Sequence, residues 1–190
     1  MSNTYGISGL DLHDDSYEVA QSLIRNKYKA TDARGNVVLR GKQKMFKARE
    51  ELPFVDGDGQ DVFTVKASGI VDVAGNYVLT DAQTGEDVVV LDNDFSMSRD
   101  TWTIRDPGGG ALAEIRSRGA VVTLARGFLP FGELIPHKYE ITEPDGGHVG
   151  NINGKFSLRD RYAITIDDAS NVPEEVVIAT AMVIDAIQNN

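Results

Sequence analysis

A row of basic residues in the first third of the chain has a spacing suited to binding phosphate groups. Arg40, Lys42 and Lys44 occupy alternate positions, and Lys47 follows three residues later. Because side chains alternate between the two faces of a β-strand, the first three would lie on one face. Such a face can bind the phosphates of a lipid, a nucleotide or a nucleic acid. The alternative is an exterior strand that its cations keep soluble and unpaired.

The remaining chemistry-bearing residues do not form a pattern typical of catalysis or metal binding. Residues 56–61 contain clustered acids, but the sixth position of a calcium loop requires glycine and Asp61 stands there, so a hairpin turn is the better interpretation. His13, His137 and His148 are widely separated and lack the spacing of metal ligands, so we expect them to be solvated. The sequence predicts no catalytic residue, no metal and no cofactor.

Composition describes one acidic domain. The chain has 190 residues, no cysteine, and 29 acidic against 19 basic residues. Disulfide scaffolds, thiolate metal sites and cysteine nucleophiles are therefore excluded. We find no secretory signal and no apolar stretch long enough for a membrane span, so we expect a cytoplasmic protein without a transmembrane anchor, peripheral to a membrane if it binds one. The acidity also suits a salt-rich cytoplasm, which we state as a hypothesis about habitat.

The charge is divided unevenly along the chain. Residues 25–49 carry nine of the 19 positive charges and one acid, Asp32, although the whole chain has a net charge of −10. Since no linker separates this segment from the rest, we predict one domain over residues 16–190 that carries a basic stripe. Residues 1–15 are predicted to be a flexible amino-terminal segment.

A repeated phrase predicts β-hairpins. An aromatic residue is followed two positions later by an apolar one, then by an acid and a glycine. It occurs four times, as Tyr28/Ala30/Asp32/Gly35, Tyr77/Leu79/Asp81/Gly85, Trp102/Ile104/Asp106/Gly108 and Tyr139/Ile141/Glu143/Gly146. The alternation places the aromatic and apolar residues on one strand face, and the acid and glycine form the turn. The irregular period favours one sheet that meanders and closes on itself.

The carboxy terminus predicts a helix that must be surrounded by protein. Asn171, Pro173 and two glutamates give its start signals. Beyond them the segment is apolar on every side and, at about 18 to 22 Å, too short to span a bilayer. A sheet that closes on itself into a barrel is the structure able to enclose this helix. The expected core residues of this helix are Val176, Val177, Ile178, Met182, Val183, Ile184 and Ile187.

The sequence resembles the LURP-one-related family, whose relatives are the tubby carboxy-terminal domain and the phospholipid scramblases. The likeness rests on Tyr-x-Ala-x-Asp-x-x-Gly-x-Val at 28–37, Ser-Leu-Arg-Asp-x-Tyr at 157–162 and the terminal apolar helix. The resemblance implies a closed antiparallel barrel of about twelve strands around that helix. Tubby domains bind phosphoinositide headgroups and scramblases act at membranes. This chain lacks the cysteine cluster and transmembrane tail of the scramblases, which argues against lipid translocation.

Together these features predict an all-β, non-catalytic, tubby-like binding module. The expected contact residues for an anionic phospholipid surface, or for another phosphate-bearing ligand, are Arg40, Lys42, Lys44 and Lys47. The alternative is a protein-interaction or structural scaffold domain that binds a protein partner and no lipid. Nucleic acid is not an expected partner, and the acidity of the rest of the chain opposes attraction to an anionic membrane.

Overall fold

The computed structural model describes residues 5–21, 27–42, 51–68, 76–96, 99–118, 138–155, 161–167 and 172–188. These contain twelve strands: β1 (Ser16–Gln21), β2 (Lys27–Thr31), β3 (Val37–Lys42), β4 (Glu51–Asp56), β5 (Asp61–Ser68), β6 (Asn76–Asp81), β7 (Asp87–Ser96), β8 (Arg99–Arg105), β9 (Ala111–Ser117), β10 (Lys138–Thr142), β11 (His148–Lys155) and β12 (Arg161–Ile166). One α-helix, α1 (Glu174–Gln188), follows them.

The strands form a closed antiparallel barrel. Each strand pairs with the next along the chain, and β12 pairs with β1 to close the sheet. A closed sheet has no edge strand exposed to pairing with another molecule. The predicted all-β barrel of about twelve strands is confirmed.

The inner face of the barrel carries the aromatic and apolar residues of the repeated phrase. Across neighbouring strands, Val65 lies opposite Leu79, and Leu91 opposite Ile104. All four are fully buried, as is Trp102. Two-residue alternation therefore separates an apolar interior from a polar exterior, as the sequence predicts.

Five hairpin turns lie at one end of the barrel, which we call the turn end. They join β2 to β3, β4 to β5, β6 to β7, β8 to β9 and β10 to β11. In each, an acid's backbone N–H bonds a carbonyl four or five residues on, and a glycine with positive φ reverses the chain. In the β8–β9 turn this glycine is Gly109. The repeated phrase names Gly108 for this turn, whereas the glycine with positive φ is the next residue, Gly109.

Helix α1 begins at the turn end and continues into the barrel. Its residues Val176, Val177, Ile178, Met182, Val183 and Ile184 are all buried, which confirms the predicted buried helix. The backbone of Ile187 belongs to α1, but its side chain is outside the described part of the structure. Asn171, the expected cap, also falls outside it. The two acids in the first turn, Glu174 and Glu175, face the positive end of the helix dipole.

The amino-terminal segment covers the turn end. Ile7, Leu10 and Leu12 are buried, and the backbone N–H of Ser8 donates to Asp81 Oδ2 at 2.6 Å. Residues 5–15 thus pack against the barrel beside the start of α1. This packing was not expected for a segment that the sequence assigns to residues 1–15 and predicts to be flexible.

Candidate functional site

The most distinctive charged feature is a pair of cations on adjacent strands. Lys29 of β2 lies directly opposite Arg40 of β3, and both residues are exposed on the outer face of the barrel. Like charges placed opposite each other across a sheet are destabilising. Neither side chain forms an ion pair or hydrogen bond with any other described residue. Within the part of the chain that the structure describes, the pair is therefore a local concentration of positive charge without a compensating carboxylate.

The residues flanking this pair on the neighbouring strands carry no charge. Ala20 of β1 lies opposite Lys29 on one side, and Val55 of β4 lies opposite Arg40 on the other. A carboxylate in either position would compensate the pair, as happens elsewhere on this surface. We call Lys29 and Arg40, with these two flanking residues, the basic face.

Most other described cations have carboxylate partners. The structure describes nine lysine and arginine side chains, of which six pair with Asp or Glu: Arg34, Lys66, Arg105, Arg116, Arg118 and Arg161. Lys138 of β10 has no carboxylate partner among the described residues, but its neighbour Arg118, whose backbone N–H donates to the carbonyl of Lys138, is paired with Glu140. Pairing is thus the rule among the described cations, and the adjacent Lys29 and Arg40 depart from it.

The structure places the predicted contact residues unequally. Arg40 is exposed on the outer face of β3, as alternation predicts. The backbone of Lys42 ends β3 opposite Lys27, while Lys44 and Lys47 lie outside the described residues. Sequence reasoning missed Lys29. The signal that would have found it is the register of the hairpin around the Asp32 turn, which pairs Lys29 with Arg40.

The other candidate motifs have structural roles where they are described. Asp56 Oδ1 accepts hydrogen bonds from the backbone N–H groups of Asp58 and Gln60, both at 2.9 Å, so this acidic loop is a hairpin turn. His13 is exposed beside Asp11, and His137 lies outside the described residues. Within the chain segments that the structure describes, no three His, Asp or Glu residues are arranged to hold a metal ion.

His148 takes part in a surface network on β10 and β11. Its Nδ1 lies 2.9 Å from Asp167 Oδ2, and its Nε2 lies 3.3 Å from Asn151 Nδ2. Glu140 receives a hydrogen bond from Arg118, and this bond chiefly holds the pKa of Glu140 below its usual value. The described polar neighbours of the imidazole are thus two carboxylates and an amide, which link β10, β11 and the residue after β12 at the surface.

Two acids are buried at the turn end. Burial raises the pKa of Glu175, whose carboxylate also accepts a hydrogen bond from the backbone of Ile7. For Asp81, burial alone would raise the pKa, but hydrogen bonds from the backbone N–H groups of Thr84, Ser8 and Gln83 outweigh it and hold the pKa below its usual value. Through these hydrogen bonds, Asp81 connects the amino-terminal segment to the barrel and Glu175 connects it to α1.

Comparison with known proteins identifies the family. The family model described as LURP-one-related matches residues 37–185, which is most of the chain. The chain belongs to the LURP-one-related family. The matched region takes in β3 to β12 and most of α1, so it includes Arg40 and begins after Lys29.

A solved structure supports the same fold. The LURP-one-related chain is similar to a protein from Arabidopsis thaliana determined by X-ray crystallography, with a TM-score of 0.59 and 12% sequence identity. The alignment covers 96% of this chain and 99% of the Arabidopsis protein. At this identity the likeness establishes the fold alone. No curated protein matches the sequence, and no described helix is long and apolar enough to cross a membrane.

Proposed function

We propose that this LURP-one-related domain is a non-catalytic binding module that associates with the phosphate groups of an anionic phospholipid surface. The observation that carries the proposal is the adjacent pair Lys29 and Arg40, which has no carboxylate partner among the described residues, whereas most of the other described cations are paired. In this proposal the protein is cytoplasmic and binds the membrane peripherally through its exposed cations. The family's relationship to tubby domains, which bind phosphoinositide headgroups, supports the same function.

The expected strength follows from charge. Each Lys or Arg near an anionic bilayer contributes about 1 kcal/mol, so Lys29 and Arg40 together contribute about 2 kcal/mol, or about thirtyfold in partitioning. Lys42, Lys44 and Lys47 follow Arg40 in the chain and would add to this attraction. The net charge of −10 opposes it, so binding is expected to be weak, reversible and sensitive to salt.

Vesicle flotation tests the proposal. We expect the protein to float with phosphatidylcholine vesicles that contain about 30% phosphatidylserine, but not with phosphatidylcholine alone, because the attraction is electrostatic. Binding at about 0.15 M salt should be lost at about 1 M, where the screening length falls to about 3 Å. A soluble glycerophosphoserine headgroup, compared at matched ionic strength, distinguishes a free phosphate compound from a lipid surface as the ligand.

Matched variants localise the binding. Lys29→Gln/Arg40→Gln removes two charges from β2 and β3 and should weaken partitioning by about ten- to thirtyfold. The control Arg105→Gln/Arg116→Gln removes the same charge from β8 and β9, six strands away on the opposite side of the barrel. It should change partitioning far less. Absence of binding by wild-type protein, or equal loss in both variants, would contradict the proposal. A protein partner retained by the first variant would instead support the scaffold alternative.

A further inference from the structure

Closure of the barrel brings a third cation to the basic face. Arg161 of β12 lies opposite Ala20 of β1, which in turn lies opposite Lys29 of β2 and, through it, next to Arg40 of β3. The outer faces of four consecutive strands therefore carry arginine, alanine, lysine and arginine at one level. In sequence these cations lie near opposite ends of the chain, and the β12–β1 seam unites them.

The spacing allows the three cations to contact one surface together. Adjacent strands lie about 4.8 Å apart, so the backbone of Arg161 is about 10 Å from that of Lys29 and about 14 Å from that of Arg40. Lysine and arginine side chains are long and flexible enough to cover this interval. Ala20 leaves the space between Arg161 and Lys29 without a bulky side chain. A bilayer can therefore meet all three charges across the seam.

Glu18 limits the charge that Arg161 presents. Arg161 Nη1 donates to Glu18 Oε1 at 3.3 Å, and the two side chains are 39% and 30% exposed. Arg161 Nε is buried and has no acceptor among the residues that the structure describes, so there Glu18 satisfies the guanidinium only in part. An ion pair this accessible to water is weak, and a second anion can compete for the guanidinium.

We propose that the phospholipid-binding surface extends across the β12–β1 seam to Arg161, and that Glu18 restrains binding by pairing with Arg161. The inference rests on the proposed function and adds to it one contact residue and one antagonist. An anionic headgroup that approaches the seam would share or replace Glu18 as the acceptor for Arg161. Glu18 therefore sets how strongly the surface discriminates between membranes of low and high anionic content.

Two opposite substitutions test this arrangement on the intact chain. With phosphatidylcholine vesicles that contain about 30% phosphatidylserine, Arg161→Gln should lower the partition coefficient by about two- to fivefold. Glu18→Gln should raise it by a similar factor, because it releases Arg161 and removes a repelling charge. A gain that requires phosphatidylserine and disappears at about 1 M salt is electrostatic and does not come from apolar surface exposed by misfolding, so Glu18→Gln keeps the test valid even if Arg161→Gln destabilises the barrel. Arg161→Lys should retain most of the binding.

The control is an ion pair of the same kind on the opposite side. Asp92 of β7 pairs with Arg105 of β8, with side-chain exposures of 26% and 36% that match those of Glu18 and Arg161. Twelve strands at about 4.8 Å make the barrel at least about 18 Å across, more than two screening lengths of about 8 Å at 0.15 M salt. Asp92→Asn should therefore leave partitioning nearly unchanged, although it changes net charge as Glu18→Gln does.

The outcomes separate this inference from the proposed function. Loss of binding in Lys29→Gln/Arg40→Gln, with no effect of Glu18→Gln or Arg161→Gln, would overturn the inference and leave the proposed function standing. Equal gains in Glu18→Gln and Asp92→Asn would show that only net charge matters and would also overturn it. Wild-type protein that binds no anionic vesicle would overturn both. Opposite shifts from Glu18→Gln and Arg161→Gln, with Asp92→Asn neutral, would support it.

Discussion

Truncation of Ile178 measures how firmly the barrel encloses α1. Ile178 is fully buried, and Ile178→Ala removes three carbon atoms from the interior. At about 0.8 kcal/mol for each lost methyl or methylene group, the transfer cost is about 2.4 kcal/mol. The cavity adds to this, and series of such substitutions give about 2 to 5 kcal/mol in total. Alanine's better helix propensity returns about 0.5 kcal/mol, so we expect a net loss of about 2 to 4 kcal/mol.

The assay is urea and thermal unfolding beside a matched truncation. Val90→Ala shortens another β-branched side chain, but Val90 is only half-buried, so we expect a loss of about 1 kcal/mol or less. For a domain of this size, 1 kcal/mol shifts Tm by about 2 to 4 °C, and Ile178→Ala should lower Tm by about 4 to 16 °C. Equal small shifts in both variants, or protease removal of α1 from an otherwise intact barrel, would refute the enclosed helix.

Three further substitutions test the buried polar groups. Thr180→Val should stabilise the protein by about 1 kcal/mol in urea unfolding, because Thr180 Oγ1 is buried and no described residue forms a hydrogen bond with it; a clear destabilisation would show that the hydroxyl has a partner. Glu175→Gln should raise the unfolding free energy at pH 7, since burial raises the pKa of Glu175 and the cost of its ionised form is relieved as pH falls through that pKa; a benefit that grows in acid would contradict this. Asp81→Asn should cost about 1 to 3 kcal/mol at pH 7. That loss should shrink as pH falls below 3.8, because the pKa of Asp81 lies below this ordinary value and its stabilisation disappears on protonation; a loss independent of pH would contradict it.

The sequence predicts the local elements well because each has a short-range cause. The acid and glycine of every repeated phrase form a hairpin turn, as the Asp32 turn shows with hydrogen bonds from Arg34 and Asn36 to its carboxylate. The apolar character of α1 on all sides likewise requires burial wherever the helix packs. Such features need no knowledge of which distant strands meet.

Features that depend on contacts between residues far apart in the chain could not be predicted from local sequence patterns. The proximity of Arg161 to Lys29 follows from closure between β12 and β1, and no local pattern encodes that pairing. The packing of Ile7 against the turn end depends on the position of α1, which is set by the whole barrel. Lys29 is an intermediate case, because its alignment with Arg40 needs the register of one hairpin.

The most direct test of the account is the partition coefficient measured against phosphatidylserine content, for wild-type protein and for Lys29→Gln/Arg40→Gln in parallel. Because each cation interacts with the surface potential, the wild-type coefficient should rise steeply with phosphatidylserine content at about 0.15 M salt. The slope should be much shallower in the double variant. Parallel curves for the two proteins, or a wild-type coefficient that does not respond to phosphatidylserine, would contradict binding through this face of the barrel.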